Sequence, residues 1–416
     1  MEQLVSNTTG RIKININFQT NQIKLIIDEN EQLFEGIFIN KHYADIPYLA
    51  SRICSNCSFS HNLASIMAIE NAFQIKINPI NKKLRELILY SQIVQSHTLH
   101  IYFFSIKDYF NTPDFLSLAQ TNPETFNDIV KLKTNIDYIL NIVSGGNIHP
   151  VTTTVGGFSK IPSISSLKKM LSCSKDALKS AKRLAKIYTC ANYPNLQKAT
   201  TYLSLTSQRG YPTISDVIES SSGETFTTKN YTKKIIEHIT DSPVKNSYYK
   251  NKEFVTGALA RLSLHANRLA PQAKKIHLKS INKFSSFPAY NSYHNYYAQS
   301  IEIIHFLENI IDALTQLSNT SNYKFYPVKS FETKKSEGRI VIESPRGLLY
   351  HYYQLDKNGI IKNCNIIDSS SQSLNNLESD IKVLLDQTSK LDNITRLELI
   401  KMLIRAYDLC TDCCVH

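Results

Sequence analysis

The residues best suited to chemistry lie near the two ends of the chain. Arg52-Ile53-Cys54-Ser55-Asn56-Cys57-Ser58-Phe59-Ser60-His61 sets two cysteines one helical turn apart, with a histidine just beyond. The last seven residues, Cys410-Thr411-Asp412-Cys413-Cys414-Val415-His416, repeat the Cys-x-x-Cys spacing and finish on histidine. Four thiolates make a soft, strongly donating cage, suited to zinc, to iron–sulfur, or to a nickel- or iron-containing centre. A zinc ribbon places its two Cys-x-x-Cys knuckles within about 15–20 residues of each other. Here the pairs stand 356 positions apart, which disfavours an autonomous zinc module. A structural zinc clamping the two chain ends stays open on spacing alone.

Composition narrows the setting. Eight cysteines in a chain without a basic, apolar, small-residue leader pattern argue for thiols and metal rather than disulfides. Cys173, Cys190 and Cys364 are scattered and read as ordinary buried residues. No apolar run is long enough to span a bilayer, so the expected location is cytoplasmic. The net charge of +12 raises nucleic acid as a partner. However, Lys168, Lys169, Lys175, Lys179, Lys182 and Lys186 fall on the outer side of one amphipathic stretch, as a solvated face requires. No basic platform interleaved with aromatics is present, which argues against nucleic-acid binding.

The elements that must position these residues follow from periodicity. Ile12, Ile14, Ile16 and Phe18 alternate with polar residues, and a second apolar run spans Ile23 to Ile27, which predicts a β-hairpin. Pro47 limits any helix before the first cysteine pair. Helical spacing resumes after Cys57, so that pair is expected in a loop entering a helix, whose N-terminus favours thiolate. A long helix from Asn81 to about Phe110 is apolar nearly all round and should be buried in a bundle. His97 and His100 on it read as core histidines bonded to neighbours rather than as ligands. Leu167 to Tyr188 marks an amphipathic helix, and residues 204 to 252 an irregular stretch with short strands. Helices are expected again over 253–269 and 296–317. Arg339–Glu343, Leu348–Leu355 and Ile360–Ile367 form a β piece with an Asn358-Gly359 turn. Two last helices, 375–385 and 394–407, deliver Cys410. With no internal repeat, linker or low-complexity tail, residues 1–416 read as a single integrated domain.

Four motifs occur in order: Arg-x-Cys-x-x-Cys-x-x-x-His at 52–61, Gly-Gly-x-x-His-Pro at 145–150, Glu343-x-Pro345-Arg346-Gly347, and Asp408-x-Cys410-x-x-Cys413-x-x-His416. Together they resemble the large, catalytic subunit of [NiFe] hydrogenases over essentially the whole chain. Arg52-Ile53-Cys54-Ser55, Ser96-His97-x-Leu99-His100, Ser222-Gly223-Glu224-x-Phe226 and Arg405-Ala406-Tyr407-Asp408 are similar to the cytoplasmic NAD(P)-linked, sulfhydrogenase-like branch. The quinone-module subunit of respiratory complex I looks similar in fold but has lost these cysteines.

The resemblance implies an α+β, mainly helical fold with a central helix bundle and peripheral β-hairpins. It implies an oxidoreductase that splits H₂ heterolytically at a Ni–Fe centre whose iron bears cyanide and carbon monoxide. Cys54 and Cys410 would be terminal nickel ligands, and Cys57 and Cys413 would bridge nickel and iron. His61 would hydrogen-bond a bridging cysteine. Arg346 would sit over the open coordination site as a fixed positive charge, with Pro345 lining the same roof and Asp408 fixing its pose. Glu35 and His416 would hold a structural magnesium or iron. The implied partners are an iron–sulfur small subunit and flavin/NAD(P) diaphorase subunits, with a maturation protease and nickel chaperones during assembly. No Gly-x-Gly-x-x-Gly motif follows a strand, so nicotinamide is not expected on this chain.

The sequence also departs from that pattern. Relatives carry Arg-x-Glu-Gly before the first hairpin strand, whereas this chain reads Val5-Ser6-Asn7-Thr8-Thr9-Gly10, without a carboxylate. Leu409 replaces the proline of Asp-Pro-Cys. Ser96 stands where many relatives have aspartate, and Cys414 adds a fifth thiol beside the cage. The missing glutamate motivates a second reading: a subunit that keeps fold and metal cage but is impaired in proton transfer and acts as a metal-binding scaffold.

Overall fold

Four long helices with apolar residues recurring at i, i+3 and i+4 can bury those faces only against one another. In the computed structural model they are Pro79–Thr98, Pro123–Ser144, Ile164–Thr189 and Asn295–Asn319, packed as a central bundle. The structure describes all residues except 1, 6–7, 9–10, 28–33, 111, 209, 239–243, 284–289 and 412–416. The six lysines at 168–186 all face solvent on the Ile164–Thr189 helix, while Leu167, Met170, Ala177, Ala181 and Leu184 enter the core.

The N-terminal hairpin pairs Ile12–Asn17 with Gln22–Ile27, and Glu2–Val5 adds a third strand. The irregular stretch contains short strands, of which Thr201–Thr206, Val217–Ser220 and Thr225–Thr227 belong to a four-stranded sheet. The β piece near the C-terminus is an antiparallel sheet of Ser336–Ser344, Gly347–Leu355 and Ile361–Ile367. Its second turn uses Gly359 at φ +75°, the left-handed backbone that the Asn-Gly pair predicts. This sheet lies on the Ser58–Phe73 helix, with Gly338 against the backbone of Ala68 and Ala72; any side chain there would collide.

Some expectations are corrected. Pro47 does not prevent a helix, because it sits in the first turn of Ile46–Ala50, where its missing N–H costs nothing. The helix expected from Asn81 starts at Pro79. Asn78 is the cap, and its side chain accepts the Asn81 N–H at 2.8 Å. It also ends early, at Thr98, giving way to a π-helical turn over Leu99–Phe104 and a 3₁₀ turn over Ile106–Asp108. Pro123–Ser144 was not among the expected elements, although Ile129, Leu132, Ile136, Ile139, Leu140 and Val143 give it a clear buried face. The expected helix over 253–269 is shorter, Ala258–His265 followed by a 3₁₀ turn. Of the three scattered cysteines only Cys364 is buried; Cys173 is half-buried and Cys190 exposed.

Candidate metal centre

The first cysteine pair sits where two helices meet. After Ile46–Ala50 the chain turns through residues 51–56, and Cys57 is the N-cap of Ser58–Phe73, its carbonyl accepting the His61 N–H at 3.1 Å. Cys54 and Cys57 are both buried. The helix N-terminus adds partial positive charge beside the Cys57 sulfur, which favours its thiolate.

The C-terminal pincer arrives on the other side. The Asn393–Ala406 helix ends at Tyr407, and Asp408 takes φ +51°, a left-handed conformation that aspartate tolerates better than most residues. That reversal sends Cys410 inward, fully buried, where its N–H donates to Ser370 Oγ at 3.1 Å. Its sulfur lies 3.1 Å from that of Cys54. This is well beyond a covalent S–S bond of about 2.05 Å, so the two remain separate thiols drawn together from opposite ends of the chain. Cys413, Cys414 and His416 lie outside the described residues. Among the described residues, no three His, Cys, Asp or Glu side chains converge as a ready-made ion site.

Arg346 occupies the tip of the long hairpin. Ser344 pairs with Gly347, which leaves Pro345 and Arg346 as a two-residue turn. The turn fits against Thr256 and Gly257: Gly257 has φ +95°, and a Cβ there would stand 2.7 Å from the Arg346 carbonyl. Arg346 Nε donates to the Asp408 carbonyl at 2.5 Å and Nη2 to Asp408 Oδ1 at 2.9 Å, while Nη1 reaches Ser96 Oγ at 3.4 Å. Burial works against its charge, but Asp408 and then the sulfurs of Cys410, Cys54 and Cys57 outweigh it and hold the guanidinium firmly protonated. A cation is thus locked close to the paired Cys54 and Cys410 thiols and within electrostatic reach of Cys57. That donor set and counter-charge fit a thiolate-bound metal centre.

A further ring of side chains fixes these groups. Gln299 Nε2 donates to Asp408 Oδ2 at 2.8 Å, and its Oε1 lies 2.5 Å from His100 Nδ1. His100 Nε2 is 2.7 Å from the Arg405 carbonyl. His97 bonds Glu302 at 2.8 Å, so both histidines are bonded core residues, as expected. His61 Nδ1 lies 3.1 Å from His351 Nε2, and His351 Nδ1 lies 2.8 Å from the Tyr353 hydroxyl. Burial, and then His61, push the His351 pKa well down. Glu35 is partly exposed; it accepts the Ile366 N–H at 2.8 Å and faces Lys245 at 3.7 Å. Pro345 offers its carbonyl to Arg261 at 3.1 Å.

Gln299, Arg261, Glu302 and His351 escaped sequence reasoning. The available signal was a charged residue inside an apolar stretch, Arg261 in Ala258-Leu259-Ala260-Arg261-Leu262 and Glu302 in Ile301-Glu302-Ile303-Ile304. Charges are rarely buried unless paired, so such residues ask for a partner.

A family model described as nickel-dependent hydrogenase matches residues 33–135 and 210–416. Sulfhydrogenase 1 subunit alpha of Pyrococcus furiosus is 29% identical over 406 residues, covering 95% of this chain and 92% of that protein. Sulfhydrogenase 2 subunit alpha of the same organism is 29% identical, covering 98% and 96%. The crystal structure of an NAD⁺-reducing [NiFe]-hydrogenase in the H₂-reduced state superposes with a TM-score of 0.87 at 20% identity, covering 100% of this chain and 98% of that one.

Proposed function

This chain belongs to the nickel-dependent hydrogenase family, and from that premise we propose how its own residues serve the reaction. It is a large, catalytic [NiFe] hydrogenase subunit, an oxidoreductase acting on H₂. The Ni–Fe centre, when bound, supplies heterolytic cleavage of H₂ and the reverse reaction. In our reading the thiolates of Cys54 and Cys410 would hold nickel, and those of Cys57 and Cys413 would hold both nickel and an iron carrying cyanide and carbon monoxide. Arg346, held by Asp408, keeps a fixed positive charge beside the thiolates and would stabilise negative charge that develops there. Pro345 sets the turn that presents it, and His61, backed by His351, would orient one of the thiolates that both metals share. Glu35 and His416 would hold a structural magnesium or iron.

The observation that carries this reading is the 3.1 Å approach of Cys54 and Cys410 beneath a buried Arg346–Asp408 pair. Among the described residues no helix is long and apolar enough to cross a membrane. We place the subunit in the cytoplasm, passing electrons to an iron–sulfur small subunit and on to flavin/NAD(P) diaphorase subunits. The naming of two relatives as alpha subunits supports a multisubunit complex. Nickel chaperones and a maturation protease would act during its assembly.

Metal analysis of the purified complex, combined with H/D exchange between H₂ and D₂O, tests the assignment. Nickel and iron at about one each per centre, with exchange, support it; zinc alone refutes the ligand assignment. A complete bimetallic centre without exchange would favour the scaffold reading that the carboxylate-free Val5–Gly10 stretch motivates.

A further inference from the structure

The Ile164–Thr189 helix carries half of the chain's net charge on its outer side. Six lysines and Arg183 stand against one carboxylate, Asp176, which gives this helix a net +6 of the chain's +12. Lys168, Lys175, Lys179, Lys182 and Lys186 follow one another at steps of seven, four, three and four residues. At about 3.6 residues per turn those steps keep all five on one stripe, about 27 Å long at about 1.5 Å per residue. Every one of the five is exposed. Lys169 stands to one side, 5.0 Å from the centre of the Tyr138 ring. Arg183 bonds Asp128 at 2.6 Å and Lys179 bonds Asp176 at 3.0 Å, contacts that water largely screens.

A neighbouring helix widens the stripe. Lys182 donates to Gln272 of the Pro271–Ser280 helix at 2.8 Å, so the outer faces of the two helices adjoin. Ala273, His277 and Ser280 of that helix face the core, while Pro271, Lys275, Leu278 and Lys279 face solvent. Leu278 is 56% exposed, an apolar side chain standing between two cations. Residues 164–189 lie outside both stretches matched by the hydrogenase family model, which sets this charge apart from the metal chemistry.

Lysines three and four apart repel each other, so the stripe weakens its own helix slightly. A polyanion laid along it relieves that repulsion, and the chemistry of the crest narrows which polyanion fits. Protein partners are held mainly through Trp, Tyr and Arg, and single-stranded nucleic acid through aromatic stacking platforms. The exposed positions of this helix are lysines, serines, Asp176 and the already bonded Arg183. Lysine is a compact, hydrated charge on a flexible stem, suited to a diffuse field of anionic headgroups rather than to one fixed carboxylate. A polybasic face beside an exposed apolar side chain is the combination that holds a protein at a bilayer surface.

We propose that the Lys168–Lys186 crest, with Lys275, Leu278 and Lys279, docks this protein on an anionic phospholipid surface. The lysines lie among the headgroups and Leu278 enters at the acyl boundary. Such docking is peripheral, in keeping with the lack, among the described residues, of a helix able to cross a bilayer. Each lysine brought against an anionic surface raises affinity about fivefold. The attraction fades within about 10 Å at moderate salt, so it requires this face to lie flat on the lipid. The docking is independent of the ligand assignment at the metal centre.

Co-sedimentation of the purified complex with vesicles tests this, using phosphatidylcholine alone and phosphatidylcholine mixed with phosphatidylglycerol. Two fourfold variants carry the comparison. Lys175→Gln, Lys179→Gln, Lys182→Gln and Lys186→Gln together neutralise the crest. Lys324→Gln, Lys329→Gln, Lys334→Gln and Lys335→Gln remove the same charge from another exposed stretch. Glutamine matches lysine in helix propensity, so both variants should fold, which circular dichroism checks. The expected result is salt-sensitive binding to the phosphatidylglycerol vesicles only, weakened about 10²-fold in the crest variant and less than about fivefold in the other. Leu278→Gln should weaken it about fivefold through the lost apolar contact. Equal losses in the two fourfold variants would mean that overall charge rather than this face draws the protein to lipid, and would overturn the docking surface. Equal binding to both vesicle types, or binding to neither, would overturn it as well. Crest-dependent retention on poly-glutamate or on duplex DNA, without vesicle binding, would replace the lipid by an acidic polypeptide or a nucleic acid and refute the proposal.

Discussion

Arg346 bonds two separate segments at once, taking both the carbonyl and the carboxylate of Asp408 and touching Ser96. A lysine could keep the charge but not this planar, forked geometry, so Arg346→Lys should preserve nickel and iron while lowering H₂-dependent dye reduction by about 10²-fold. Retention of wild-type turnover would show that a point charge suffices. Asp408→Asn asks a different question. Asparagine also accepts φ near +51°, so the substitution leaves the backbone alone and strands a buried guanidinium. The folded protein should lose about 3 kcal/mol, read as a lower melting temperature with no change in helix content. The thiols, Arg346 and Asp408 were legible in the sequence because their types and spacing are specific. Gln299 and His351 were not, because a lone amide or imidazole in an apolar stretch signals burial without naming a partner.

At the level of elements, the hairpin Ser336–Ser344 and Gly347–Leu355 acts as an arm that inserts the Pro345-Arg346 turn into the core. Its seat is Gly257. Gly257→Ala should cost about 2 kcal/mol, because φ +95° disfavours any Cβ and the added carbon would press on the Arg346 carbonyl. The melting temperature should fall, and H₂ turnover should drop further than that loss explains, since a displaced Arg346 no longer meets the thiolates squarely. Unchanged turnover in the folded variant would separate the seat from the site. The Asn358-Gly359 turn, the N-terminal hairpin and the Ile164–Thr189 helix followed from local pattern. The end of the Pro79–Thr98 helix did not, since no Gly or Pro interrupts the chain through Leu99–Phe104, where the backbone switches to a π-helical turn. Within that segment His100 bonds Gln299 and the Arg405 carbonyl, partners that come from distant helices.

Across the whole molecule, several buried histidines set how stability responds to acid. Burial pushes His277, His294 and His305 from 6.5 down to about 4. Between these values the unfolded chain binds more protons than the folded one, so stability present in full above pH 6.5 is lost as the pH falls toward 4. A melting-temperature series in this window should decline steeply on the acid side. A flat profile would mean that these rings are already charged in the fold.

The sequence by itself determined the class of chemistry. Two Cys-x-x-Cys pincers, a Pro-Arg-Gly turn and an Asp two residues before a cysteine are local patterns, and their residue types restrict the ligand and the charge that can sit beside it. Helix amphipathicity likewise determined that a bundle would form. Tertiary structure alone decided which groups meet. It brought Cys54 to Cys410 across 356 positions, and it turned Glu302, Glu343, Arg261 and His97 from four separate elements into one buried cluster. The physical reason is that a buried charge is tolerated only where an opposite charge or hydrogen-bond partner arrives from elsewhere in the chain. Local sequence carries the demand for that partner, and the packing of distant elements supplies it.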